Sequence, residues 1–175
     1  MTKHKVLVPI DGSDFSRQVF DHIREYLPAE ENELTLIRVS DSPHGHVGRP
    51  AKPAAPDSSV PMYESRGDAI EAQHPIYTSQ EQASSAADLK RKLVVDAHAL
   101  EKDGYEVNTV IRFNGHAGRA LTKYINNCDV DMVAMTTHGR SGMERLLHGS
   151  TAQYLSKHAS VPIMMVRPKS KNGDA

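Results

Sequence analysis

The residues best suited to do chemistry fall in one short stretch, THGRSGMERLLHGS, at residues 137–150. It carries Gly139, Gly142 and Gly149, two arginines, two histidines, and then the hydroxyls of Ser150 and Thr151. Glycines let a backbone approach a ligand closely. A loop of backbone N–H groups that runs into a helix start forms a site for anions. Arg140 and Arg145 add positive charge, and Ser150 and Thr151 add hydroxyl donors. The pattern points to a phosphate-bearing ligand. The plainer reading is a surface loop whose glycines make turns and whose Ser150 merely caps a helix.

Hydrolytic chemistry finds little support in the same residues. A Walker A loop needs a lysine between its last glycine and its Ser or Thr, and here Ser150 follows Gly149 directly. The turn after the first apolar run, DGSDFS at 11–16, has one glycine and so lacks the dinucleotide fingerprint. His138 reads as a polar loop residue, with no nucleophile beside it for which it could act as base. His44 and His46 have no third ligand at metal-site spacing.

The elements that must position this loop alternate along the chain. A short apolar run, Val6 to Ile10, stops at Asp11-Gly12 and suits a buried parallel strand. Pro9 lacks a donor, so pairing loosens there on one side. Ser13 is placed to cap a helix with Phe15, Val19, Ile23, Tyr26 and Leu27 on its inner face, closed by Pro28. Residues 34–39 form a second strand. Residues 41–78 are rich in proline and serine without periodicity and read as a flexible insertion. From Ser79 a helix runs with Ala86, Leu89, Leu93, Ala97 and Leu100 on one face, to Gly104.

A third strand spans 105–113. A helix follows with Ala117, Ala120, Leu121, Tyr124, Ile125 and Cys128 facing inward, the cysteine as a core residue. Residues 130–135 are a fourth strand, leading into the glycine loop. Ser150 and Gln153 have the spacing of a capping box for the last helix. Residues 161–166 make the fifth strand, and 168–175 a frayed tail. Alternation of this kind gives an α/β fold, an open five-stranded parallel sheet in the order 3-2-1-4-5 with helices on both faces. Ligands in such sheets sit beyond the carboxyl ends of the strands, where the order reverses. The Asp11 turn and the glycine loop both belong at that point.

Composition narrows the class further. The chain's 175 residues suit a single domain, 1–175. With 21 basic and 22 acidic side chains, it has no electrostatic footprint for nucleic acid or an anionic membrane. No apolar run approaches the roughly 18 residues of a membrane span, so direct membrane insertion is not expected. Its one cysteine fits a reducing compartment, and the expectation is a cytoplasmic protein.

These residues resemble the universal stress protein family, ATP-binding type. The family signature is G-x-x-G, nine residues, then G and Ser or Thr. Gly139, the nine residues from Arg140 to His148, and Gly149-Ser150 match its second half, while Thr136 stands at the first glycine. VLVPIDGSDFS, VDMVAMTTHGRSG and SVPIMMVRP are similar to the family's opening strand and turn, fourth strand and loop, and last strand.

The resemblance implies a Rossmann-like, adenine nucleotide α-hydrolase-like fold that binds ATP with Mg2+. It implies that Asp11 contacts the ribose or adenine region, with Pro9 shaping the turn and Val39 lining the adenine pocket. Met135 and Thr136 flank the nucleoside. Gly139, Arg140, Gly149, Ser150 and Thr151 hold the triphosphate. Thr136 is either extended or marks an altered site, since a β-branched residue disfavours positive φ.

The resemblance further implies a homodimer through the last strand, 161–166, with higher oligomers open, and a regulatory protein partner it does not identify. The functional expectation is a stress-response regulator whose nucleotide state controls conformation, assembly or partner binding, with at most slow ATP hydrolysis. Two alternatives stand beside it. One is a family member that has lost ATP and serves as a dimeric interaction module, and the other is an ATP-hydrolysing or adenylyl-transferring enzyme.

Overall fold

The computed structural model of the chain describes residues 2–41, 75–137 and 149–168. Its Cα framework divides into two compact units, Met1–Ser40 with Leu89–Ala175, and Asp41–Asp88. Of the second unit the described residues are Asp41 and the start of a long helix. The first unit contains the sheet. Most of the expected insertion and tail, residues 42–74 and 169–175, lies outside the described residues.

The order of elements is β1 (His4–Pro9), α1 (Asp14–Arg17), α2 (Val19–Tyr26), β2 (Asn32–Ser40), α3 (Pro75–Lys102), β3 (Glu106–Phe113), α4 (Ala117–Asn127), β4 (Met132–Thr136), α5 (Ser150–His158) and β5 (Ile163–Val166). All pairings are parallel and the strand order is β3-β2-β1-β4-β5, as the alternation predicts. Side chains of successive strand residues leave opposite faces, and the core divides accordingly. Val6, Val8, Leu34, Leu36 and Ala134 meet Val19, Phe20 and Ile23 of α2 and Leu93, Ala97 and Leu100 of α3. Leu7, Ile37, Val133 and Met135 meet Leu121 and Ile125 of α4 and Ala152 and Leu155 of α5.

Pairing between β1 and β2 runs from His4 to Pro9, but between β1 and β4 it covers only Val6↔Met132 and Leu7↔Val133. The N–H of Ile10 donates to Ile37 on β2 (2.9 Å). By the alternation of a parallel strand, the donor that Pro9 lacks belongs on the β4 side. The sheet therefore parts between the ends of β1 and β4, where the order reverses.

Several local expectations are corrected. The helix after Ser13 is two helices, because the chain breaks at Gln18, whose N–H bonds to the Phe15 carbonyl (3.2 Å). Tyr26 is 61 % exposed and stacks on His22 one turn back, while Phe20 takes the inner place. The long helix begins at Pro75, ahead of Ser79, and proline's missing N–H suits a first helical position. Its other end is as expected. Gly104 at φ +95 lets its own N–H reach the Glu101 carbonyl and that of Tyr105 reach Leu100, a Schellman closure. Cys128 is exposed. Because α4 stops at Asn127, Cys128 is extended (φ −121, ψ 151) and leaves the helix's inner face.

Candidate functional site

A cavity of about 280 Å³ opens at the carboxyl ends of β1, β2 and β4. That is close to the lower end of the roughly 300–1,000 Å³ common for ligand pockets. Eight of the ten site residues expected from sequence line it: Pro9, Asp11, Val39, Met135, Thr136, Gly149, Ser150 and Thr151. Gly139 and Arg140 lie outside the described residues. Sequence reasoning missed Ile10, Ser16, Ile37, Ala117, Leu121, Thr137 and Ala152, which also line the cavity. Ile37 was open to inference as the residue two before Val39, on the same strand face. Leu121 was open to inference from the inner stripe of α4.

The wall at the end of β1 is built by side chains. Asp11 Oδ1 accepts from the N–H of Ser13 (2.9 Å) and from its hydroxyl (2.6 Å), a turn closed by the aspartate itself. Ser13 is then the N-cap of α1, its Oγ accepting from the N–H of Ser16 (3.1 Å). Gly12 between them sits at φ +83. A Cβ there would meet Nη1 of the buried Arg38 at 2.5 Å, so the turn requires glycine both for its conformation and for this close approach. Arg17 reaches back from α1. Its Nη1 donates to the Gly12 carbonyl (3.1 Å) and its Nε to Asp96 on α3 (2.8 Å). The hydrogen bond with Asp96, aided by that carboxylate's charge, raises the guanidinium's pKa above its ordinary value.

The lining beyond β4 is held by backbone bonds. Thr137 follows β4 directly, and its N–H donates to the Val166 carbonyl (2.8 Å). Its own carbonyl accepts from the N–H of Gly149 (2.6 Å), so the two ends of the glycine loop meet at the cavity. Gly149 is the N-cap of α5, with no side-chain cap bond, and its carbonyl accepts from Gln153 (2.9 Å). The expected capping box is thereby overturned. Ser150 is the first helical residue and is exposed, because glycine has taken the cap position. A helix's first N–H groups have no intrahelical acceptor. Ser150, Thr151 and Ala152, which carry such groups here, line the cavity, and two of the three bear hydroxyls.

Thr136 resolves one of the questions posed by its sequence. It is the last residue of β4, paired with Val166 and buried, and among the described residues no non-glycine has positive φ. The position is extended, which a β-branched residue prefers. Ile37, Val39, Leu121 and Met135 add apolar lining to the same cavity. The described residues contain no cluster of three or more His, Cys, Asp or Glu suited to a metal ion. No helix among them is long and apolar enough to cross a membrane.

Known proteins resemble this chain over almost its full length. The universal stress protein MJ0531 of Methanocaldococcus jannaschii is 26 % identical over 95 % of this chain and 84 % of its own. The solved structure of MJ0577 from the same organism superposes with a TM-score of 0.66 at 18 % identity, covering 98 % of this chain and all of that one. The universal stress protein of Archaeoglobus fulgidus, solved in complex with dAMP, superposes with a TM-score of 0.54 at 15 % identity, covering 95 % and 100 %. The model of the universal stress protein family matches residues 3–167, and the chain belongs to that family.

Proposed function

We infer that the cavity binds an adenine nucleotide, ATP carried with Mg2+, and that the bound nucleotide regulates the protein. The observation that carries this reading is the set of groups that one cavity brings together. Its lining includes the carboxylate-bearing Asp11, the apolar Ile37, Val39, Leu121 and Met135, and the first residues of α5 with the hydroxyls of Ser150 and Thr151. A carboxylate accepts ribose hydroxyls, an apolar slot takes a flat base, and helix N–H groups take phosphate oxygens. The A. fulgidus relative's complex with dAMP supports the same ligand class.

In this reading Asp11 and Pro9 hold the ribose side, Val39 and Met135 the base, and Thr136 flanks the nucleoside. Gly139, Arg140, Gly149, Ser150 and Thr151 hold the phosphates. Mg2+ dehydrates reluctantly and travels on phosphates with few protein ligands, which suits a site with hydroxyls and no acidic cluster among the described residues. Hydrolysis is slow at most. ATP favours one conformation by its differential affinity, and a homodimer through β5, or a regulatory partner in the cytoplasm, reads that state. The extended backbone at Thr136 supports the nucleotide reading over a module without nucleotide.

Calorimetric titration of nucleotide-free protein with ATP and Mg2+, with AMP and GTP as controls, tests the reading. Saturable ATP binding that disappears in an Asp11→Ala, Ser150→Ala double variant is the expected result. Absence of binding by the wild type returns the function to a nucleotide-free interaction module.

A further inference from the structure

We propose that Arg17, locked by Asp96, is the positioning residue for the Asp11 turn, so that helix α3 sets nucleotide affinity through a side chain that touches no ligand. The inference rests on the nucleotide reading above. Arg17 does not line the cavity, yet it holds the backbone that presents Asp11 to it. The glycine at φ +83 adds little stiffness to this turn, because glycine resists neither sign of φ. Asp11 closes it from within through Ser13, and groups outside the turn brace it further.

Two guanidinium groups do so. Arg38 fills the space where a Gly12 side chain would stand. Arg17 takes the Gly12 carbonyl with Nη1 while its Nε is engaged by Asp96. The guanidinium is planar and its donors lie at fixed angles, so orienting one edge orients the other. Asp96 is a firm anchor. Its side chain is 11 % exposed, and Leu93, Ala97 and Leu100 bury the same helix in the core. Asp14 also lies 3.6 Å from Arg17, but it is 66 % exposed, and such pairs contribute little. The relay thus runs from α3 to Arg17, to the Gly12 carbonyl, to Asp11.

A double-mutant cycle tests this, because residues acting through one another are non-additive. Arg17→Lys keeps the charge and loses the fork, and Asp96→Asn keeps the shape and loses the charge. Each is expected to weaken ATP–Mg2+ and AMP binding by about tenfold, the scale of one charge-assisted hydrogen bond. The loss should shrink to nearly nothing in an Asp11→Asn background, and binding of inorganic tripolyphosphate should be unchanged. In the ligand-free protein, Arg17→Lys should speed amide exchange at Ser13, whose N–H bonds to Asp11.

Equal losses in both Asp11 backgrounds would overturn the proposal, as would unchanged affinity or unchanged Ser13 exchange. Wild-type protein that takes up neither nucleotide would instead overturn the nucleotide reading, and this inference with it. Wild-type binding matched by Arg17→Lys would leave that reading standing and remove the relay alone.

Discussion

Two helix starts border the same cavity and are built in opposite ways. At α1 the polar groups are consumed internally: Asp11 holds Ser13, Ser13 holds Ser16, and Arg17 holds Gly12. At α5 the cap is Gly149, with no side-chain bond, and the first turn lines the cavity through Ser150, Thr151 and Ala152. The first is a wall whose shape side chains enforce. The second is a receiving surface, held in place by packing beneath it through Ala152 and Leu155. Substitutions should therefore separate by kind, with polar changes altering the first wall's geometry and only apolar changes displacing the second.

The largest effect should come from Leu155→Ala. Leu155 is fully buried and anchors α5 against β4 and α4. Truncating a buried leucine costs about 2–5 kcal/mol, read as a lower urea midpoint at unchanged slope. A much smaller loss would mean that α5 is held by its polar start after all, and the contrast would fail. Gly12→Ala should come next, at about 2 kcal/mol, from a non-glycine forced to positive φ and from displacement of Arg38. Nucleotide affinity should fall with it, because the Asp11 turn moves. Calorimetry and urea unfolding on one preparation give both numbers.

The two walls also differ in how much of them a sequence reveals. The strand order, the core stripes of α3 and α4, and the cavity residues at the strand ends were legible, because hydrophobic period and turn residues are local signals. Ser13 was legible as a cap for the same reason. Ser150 was misread because a glycine cap leaves the next serine looking like the cap itself; the choice depends on how Gly149 is held by Thr137. Tyr26 and Cys128 were misplaced because a periodic face is assigned without knowing where the helix ends. The contact between Arg17 and Asp96 spans 79 residues and two helices, and no local rule addresses it. Arg38 beneath Gly12 is hidden likewise, since a charged residue within a strand reads as solvent-facing until the turn above it is placed.

A milder test of the α1 wall is Ser13→Ala. It removes the acceptor for the Ser16 N–H and the hydroxyl that donates to Asp11. Loss of an N-cap of this kind costs about 1 kcal/mol. Because the same hydroxyl helps hold Asp11, adenosine and AMP affinity should drop alongside stability. A loss of stability with affinity intact would uncouple the cap from the site and blunt the comparison.

Ser150→Ala is the smallest change and the most discriminating. Ser150 is exposed, lies one residue inside the helix, and makes no cap bond. Alanine is the better helix former, so stability should shift by less than about 0.5 kcal/mol in either direction. Under the proposed function the hydroxyl meets phosphate, so ATP affinity should fall severalfold while adenosine affinity stays constant. Ser13→Ala should do the reverse, lowering stability and nucleoside affinity together. If Ser150→Ala instead destabilised the fold by the amount expected for a lost cap, the receiving surface would be a structural start like the other. The difference between the two walls would then lie in sequence alone, with no consequence for what the cavity holds.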